Sequence, residues 1–186
     1  MKKQIFFILI ALTFSSTAVS AQIRRTDFRN RSYQSPLCTE VFEVPNPVTV
    51  KRGKFAEGEV IFEIVGRPVF ADLDGDGSEE AVVHAQCAST AGNFTDSDIF
   101  VYGMERRRLK RIASIDSNDV ERDFKRYFRG GFVVAIKSAQ VKGGRVVIEA
   151  YTDGSNASPK YISSLTYRLS GGKLAITGRP ARRVNR

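Results

Sequence analysis

The sequence predicts a mainly β protein, an antiparallel sheet or meander with one short helix; an α+β arrangement is the alternative. Three observations predict it. Short runs rich in Val, Ile, Phe and Tyr alternate with turn residues along most of the chain. Two Gly-Gly pairs, Gly143-Gly144 and Gly171-Gly172, sit between such runs, where tight hairpins demand positive φ. A single stretch, opening at Asn118, has apolar residues at helical spacing.

The β-type runs follow in order. Val48 to Val50 comes first, then Val60 to Val65. Pro68 to Ala71 enters an acidic loop and Ala81 to Ala85 leaves it. Ile99 to Tyr102 leads to Leu109 and then Ile112 to Ile115. Phe132 to Val141 and Arg145 to Tyr151 flank the first Gly-Gly turn, and Tyr161 to Leu169 and Lys173 to Ile176 flank the second. In the helical stretch Asn118 is the expected cap, with Glu121 three residues on as in a capping box. Val120, Phe124 and Phe128 would share its buried face, and Gly130-Gly131 would end it.

The ends differ from this middle. Lys2 and Lys3 precede an apolar run, Ile5 to Phe14, too short to span a bilayer, and Val19-Ser20-Ala21 supplies small residues for cleavage. Residues 1–21 therefore read as a signal peptide, which makes the chain exported, periplasmic or extracellular. No later apolar run has transmembrane length. Removing Lys2 and Lys3 takes the net charge from +9 to +7. Residues 22–35, with Arg24, Arg25, Arg29 and Arg31, read as a flexible basic arm, and residues 179–186 as a basic tail. Residues 36–178 are left as a single β-rich domain, long enough to bury a core.

An exported chain with two cysteines, Cys38 and Cys87, points to one disulfide closing a loop of about 50 residues, worth about 4 kcal/mol in the chain-entropy account. Two buried free thiols are the alternative.

The acidic loop is the richest in chemistry. Asp72, Asp74 and Asp76 alternate, so a loop bent at Gly75 and Gly77 can aim all three carboxylates inward. The Ser78 carbonyl and Glu80 fall at the seventh and ninth positions, completing a hard oxygen cage suited to calcium. A solvated Asp-Gly turn is the plainer reading, though it leaves the mutual repulsion of four carboxylates unrelieved. The twelfth position is Val83, so an EF-hand is excluded. The segment Phe70-Ala71-Asp72-Leu73-Asp74-Gly75-Asp76-Gly77-Ser78-Glu79-Glu80-Ala81-Val82-Val83 resembles the calcium loop of FG-GAP and VCBS-type repeats. That family usually has Asp where Glu80 stands and usually repeats the motif, which occurs once here. The resemblance implies a hairpin holding an ion and no enzymatic activity, and a propeller does not follow from it. One loop without a twelfth-position ligand implies a dissociation constant of about 10⁻⁴ to 10⁻³ M and a structural ion.

Other chemistry is sparse. His84 is the single histidine and reads as structural. Asp96 and Asp98 could join Glu80 as an acid pair, but no nucleophile elbow, Walker loop or His-Glu-x-x-His sequence accompanies them. The run Arg106, Arg107, Arg108, Leu109, Lys110, Arg111 is the strongest basic cluster; on a strand Arg106, Arg108 and Lys110 would share a face. It is either a solvated surface or a polyanion-binding one, and no RRM, KH or zinc-finger signature points to nucleic acid. The expected function is a non-catalytic binding or structural module with a calcium loop, its partner an envelope polymer or another exported protein. A basic protein binding anionic polymer is the second reading, and an enzyme the third.

Overall fold

A computed structural model describes residues 21–92, 95–155 and 157–185. The signal-peptide reading lies outside these residues except at Ala21. The protein is mainly β, as expected, and its sheets are antiparallel.

The first large sheet is built around β6 (Glu80–Ser89) and β7 (Thr95–Glu105). Beyond β7 lies β8 (Arg108–Asp116). One edge of β6 is shared by two strands in tandem: β4 (Val60–Ile64) pairs with residues 85–89, and β5 (Val69–Ala71) with residues 80–82. Outside β4 lies β3 (Lys54–Glu57). The second sheet is a meander of β9 (Val133–Lys142), β10 (Arg145–Ser155) and β11 (Ser158–Ser170). Then β12 (Lys173–Ile176) and β13 (Ala181–Val184) pair successively with β11. The Gly143-Gly144 and Gly171-Gly172 turns have positive φ at both residues, as short hairpins need.

The two sheets pack face to face. Val82, Ile99, Val101, Ala113 and Ile115 from the first meet Ile136, Val146, Ile148, Ala150, Leu165, Tyr167 and Leu169 from the second. The other face of the first sheet, with Phe62, Ile64, Val83, Ala85, Phe100 and Tyr102, is also buried. A strand covered on both sides reads as an unbroken apolar run, which is why Ile99 to Tyr102 does not alternate.

The cover on that second face is the N-terminal segment. It contains β1 (Ser32–Tyr33), α1 (Pro36–Phe42) and β2 (Val48–Thr49), with β1 paired to β2. This corrects the flexible-arm expectation for residues 22–35: Ile23, Phe28 and Tyr33 are buried in the core. Their spacing matches neither a helix nor a strand, so no periodicity betrays them. Tyr33 also donates its hydroxyl to the Phe28 carbonyl. The basic tail, residues 179–186, carries a strand: Ala181–Val184 pairs with β11, and Arg182 lies 3.7 Å over the Tyr161 ring and pairs with Asp153.

Where one helix was expected, two lie wholly among the described residues, and residues 21–24 are helical as well. The unforeseen α1 starts behind Ser35 with Pro36 in its first turn and carries Cys38, which bonds Cys87 of β6 and so ties the N-terminal layer to the sheet. The expected helix is α2 (Ser117–Lys125). Its cap is Asp116 rather than Asn118: β8 runs extended up to Asp116, whose carboxylate accepts from the Asp119 N–H at 2.8 Å. Val120 and Phe124 are buried as expected, but the helix ends before Gly130. No helix among the described residues is long and apolar enough to cross a membrane.

Candidate metal centre

The acidic loop joins β5 to β6, so two paired strands fix its ends. Gly75 and Gly77 both take φ of +85°, a region costly for residues with a Cβ. This bend turns backbone N–H groups inward. Asp72 accepts from Gly75 N–H at 2.7 Å and from Gly77 N–H at 3.0 Å, Asp74 from Asp76 N–H at 3.1 Å, and Asp76 from Ser78 N–H at 2.6 Å.

Carboxylate oxygens of Asp72, Asp74 and Glu80 lie within 4.8 Å of one another. Asp76, a further expected ligand, is outside that group. Asp74 and Asp76 are exposed and Asp72 half-buried, whereas Glu80 is 4 % exposed at the root of β6. Its Oε2 accepts from the Leu73 N–H at 2.8 Å. Burial, then the negative charges of Asp74, Asp76 and Asp72, push the Glu80 carboxyl up to about 7 against the lowering effect of the Leu73 bond. A buried carboxyl pushed upward beside three others is a site short of positive charge. A hard divalent cation fits that deficit and the all-oxygen donor set. Val83, at the twelfth position, is wholly buried in the core.

The loop is anchored beyond its own hairpin. Leu73 turns into the core between the sheets. Gly144, in the β9–β10 turn, stands so close that a Cβ there would lie 3.1 Å from the Asp72 carbonyl oxygen. Glu79 receives a two-pronged bond from Arg24, at 2.6 and 2.5 Å, and the Arg24 guanidinium also lies 5.3 Å over the Phe70 ring. None of these tethers was legible in the spacing of the acids.

The other expected sites are dispersed. Arg106 and Arg107 form the β7–β8 turn, with φ of 49° and 64°, rather than part of a strand. Only Arg108, Lys110 and Arg111 lie on β8. Lys110 pairs with Glu105 at 2.7 Å, and Arg111 bends away to the Gln34 carbonyl at 2.9 Å. His84 is buried, 3.2 Å from the Ser97 hydroxyl, and burial pushes it down to about 4. Asp98 pairs in register with Ala85, five residues along β6 from Glu80. Its carboxylate neighbours are Asp116 and Asp96, so the expected acid pair with Glu80 does not form.

No protein-family model, curated protein or solved structure matches this chain.

Proposed function

We propose that this chain is an exported, non-catalytic β-sheet module stiffened by one calcium ion in the Asp72–Glu80 loop. The observation that carries the reading is the convergence of Asp72, Asp74 and Glu80 oxygens, with the Glu80 carboxyl buried and pushed upward by that burial. The local resemblance of residues 70–83 to FG-GAP and VCBS-type loops supports it, as does the hairpin setting. Asp72, Asp74 and Glu80 would hold the ion, with Asp76 and the Ser78 carbonyl as the further donors the loop offers. The positive charge of a calcium ion there would let the four carboxylates stay ionised together. The chain's part is to present them on a hairpin whose base, Leu73, is locked in the core. Export fits the Cys38–Cys87 disulfide, which persists in oxidising compartments.

Calorimetric titration of the oxidised protein with calcium, beside Asp74→Ala, tests this. Saturable millimolar-range binding lost in the variant supports the site. Equal heats in both proteins, or none in either, reduce the loop to a turn. The second reading, attachment to anionic envelope polymer, draws on the Arg106, Arg107 and Arg108 hairpin tip, where all three side chains are exposed. It requires salt-sensitive retention on heparin that falls when these arginines are replaced.

A further inference from the structure

A second site lies on the N-terminal face of the first sheet, independent of the calcium loop. A pocket of about 270 Å³ opens there, and two arginines brought from distant parts of the chain line it together with Tyr102 and Gln34. Arg31 enters just before β1; Arg111 sits on β8 directly opposite Tyr102 of β7, at the bulge in that ladder. The Arg31 guanidinium lies 5.3 Å over the Tyr102 ring and 5.8 Å over Phe28; that of Arg111 lies 5.6 Å over Phe100.

The two cations are not neutralised in place. Neither forms an ion pair with a carboxylate among the described residues. The Arg31 Nε is buried with no hydrogen-bond partner, an uncommon state for a charged donor and one that leaves desolvation uncompensated. Arg111 has its fork set by Gln34, donating to the carbonyl at 2.9 Å and to the side-chain oxygen at 3.2 Å, which leaves further N–H groups free. Both guanidinium charges act on the Tyr102 hydroxyl, whose buried phenol stays protonated and able to donate. Asp98 is the one carboxylate whose charge reaches Tyr102, and its effect is the weakest there.

We infer that this pocket binds an oxyanion, a phosphate, sulfate or carboxylate group, held by Arg31 and Arg111 with the Tyr102 hydroxyl as a further donor. Planar guanidinium forks match such groups in two-pronged geometry. Aromatic stacking pre-orders both forks, so little side-chain freedom is lost on binding. The Arg106 and Arg107 turn presents charge to solvent, whereas this pair is partly sheltered and answers a single terminal group.

Inorganic phosphate is the probe, titrated into the oxidised protein in EDTA against sodium chloride of equal ionic strength. The readout is the ¹H–¹⁵N signals of the arginine Nε–H groups. Saturable shifts of Arg31 and Arg111 in phosphate, absent in chloride, are expected. Arg111→Gln should weaken binding at least about tenfold, the loss of one charge-assisted bond, with the chloride melting temperature kept. Should Arg111→Gln fail to fold, Tyr102→Phe keeps the ring beneath Arg31 and removes only the hydroxyl; it should weaken phosphate binding by a smaller factor. An acetate arm separates the sources: shifts with acetate as strong as with phosphate assign a carboxylate-bearing ligand, and shifts with phosphate alone assign a phosphate or sulfate group. Identical changes in chloride, or phosphate binding untouched by a folded Arg111→Gln or Tyr102→Phe, would overturn the inference.

Discussion

Asp98→Asn should make this protein more stable at neutral pH. Asp98 is 7 % exposed on β7 and accepts from the Ser35 hydroxyl at 2.5 Å. Burial pushes its carboxyl up to about 6, Ser35 opposes, Asp116 and Asp96 push further, and Arg111 pulls down slightly. The reference value is 3.8, so the folded chain holds this proton more tightly than the unfolded one. The stabilisation from protonated Asp98 is therefore complete below pH of about 4 and disappears as pH rises through about 6. A shift of about two units at 1.36 kcal/mol each sets a ceiling of about 3 kcal/mol. Asn keeps the shape and an acceptor for Ser35 without the charge. The variant should gain about 1–3 kcal/mol at pH of about 7.5, a rise in Tm of several degrees, and no advantage at pH of about 4. Urea unfolding of both proteins in EDTA across that range measures the difference. His84 slopes the other way: held near 4 by burial, it supports folding above its ordinary 6.5 and loses that support as pH falls. Its part cancels in the variant-minus-wild-type difference. A variant that is less stable at every pH by the same amount would mean that Asp98 is an ionised, well-paired group, and the burial argument would be wrong.

Three other outcomes are expected. With calcium at about 10 mM over a dissociation constant of about 1 mM, wild type should gain about 1.4 kcal/mol; Asp74→Ala should gain none and lose nothing in EDTA, as thermal melts would record. Replacing Cys38 and Cys87 together by Ala should cost about 4 kcal/mol in denaturant unfolding, from reopening a 49-residue separation. Ile23→Ala should cost about 2–4 kcal/mol in the same assay, because Ile23 is wholly buried; no cost would restore the flexible arm.

The sheets were legible because their signals are local. The strands of the second meander carry alternation between Gly-Gly turns, and each pair adopts the left-handed backbone that two-residue hairpins need. The Arg106–Arg107 turn adopts similar dihedrals with no Gly, Asn or Asp to announce it, so a strand was the natural reading of that run. The N-terminal layer was hidden for another reason. Ile23, Phe28 and Tyr33 are single anchors in polar chain, and only the second apolar face of the first sheet, which they cover, gives them something to bury against. The cap of α2 slipped by two residues because Asp116 ends a strand, a tertiary fact that outranks the box at Asn118 and Glu121. Within the candidate site the acids were legible from spacing. The roles of Leu73, Gly144 and Arg24 were not, since each depends on a partner far along the chain. The oxyanion pocket was illegible throughout: Arg31 and Arg111 are 80 residues apart and meet only across Tyr102.

The tethers of the acidic loop decide where calcium would be felt. An ion's total stabilisation depends on its free concentration and affinity, whatever it touches. Which openings it suppresses depends on the contacts, because local unfolding proceeds in cooperative units. A free hairpin loop would pass nothing on. Here Leu73 is part of the inter-sheet core, the Asp72 carbonyl abuts Gly144, and Glu79 holds Arg24 of the N-terminal layer. Ordering residues 72–80 therefore restrains three layers at one corner. The Arg24–Glu79 bond is the weakest of these links, since Arg24 is about half exposed and such pairs contribute about 0–1 kcal/mol. Hydrogen exchange with and without calcium should show slowed amides in residues 72–80 and in the β9–β10 turn, with a smaller effect around Arg24. Arg24→Ala should remove only the last of these. Protection confined to residues 72–80 in wild type would mean that the loop moves independently of the sheets, and that Leu73 fills space without transmitting order.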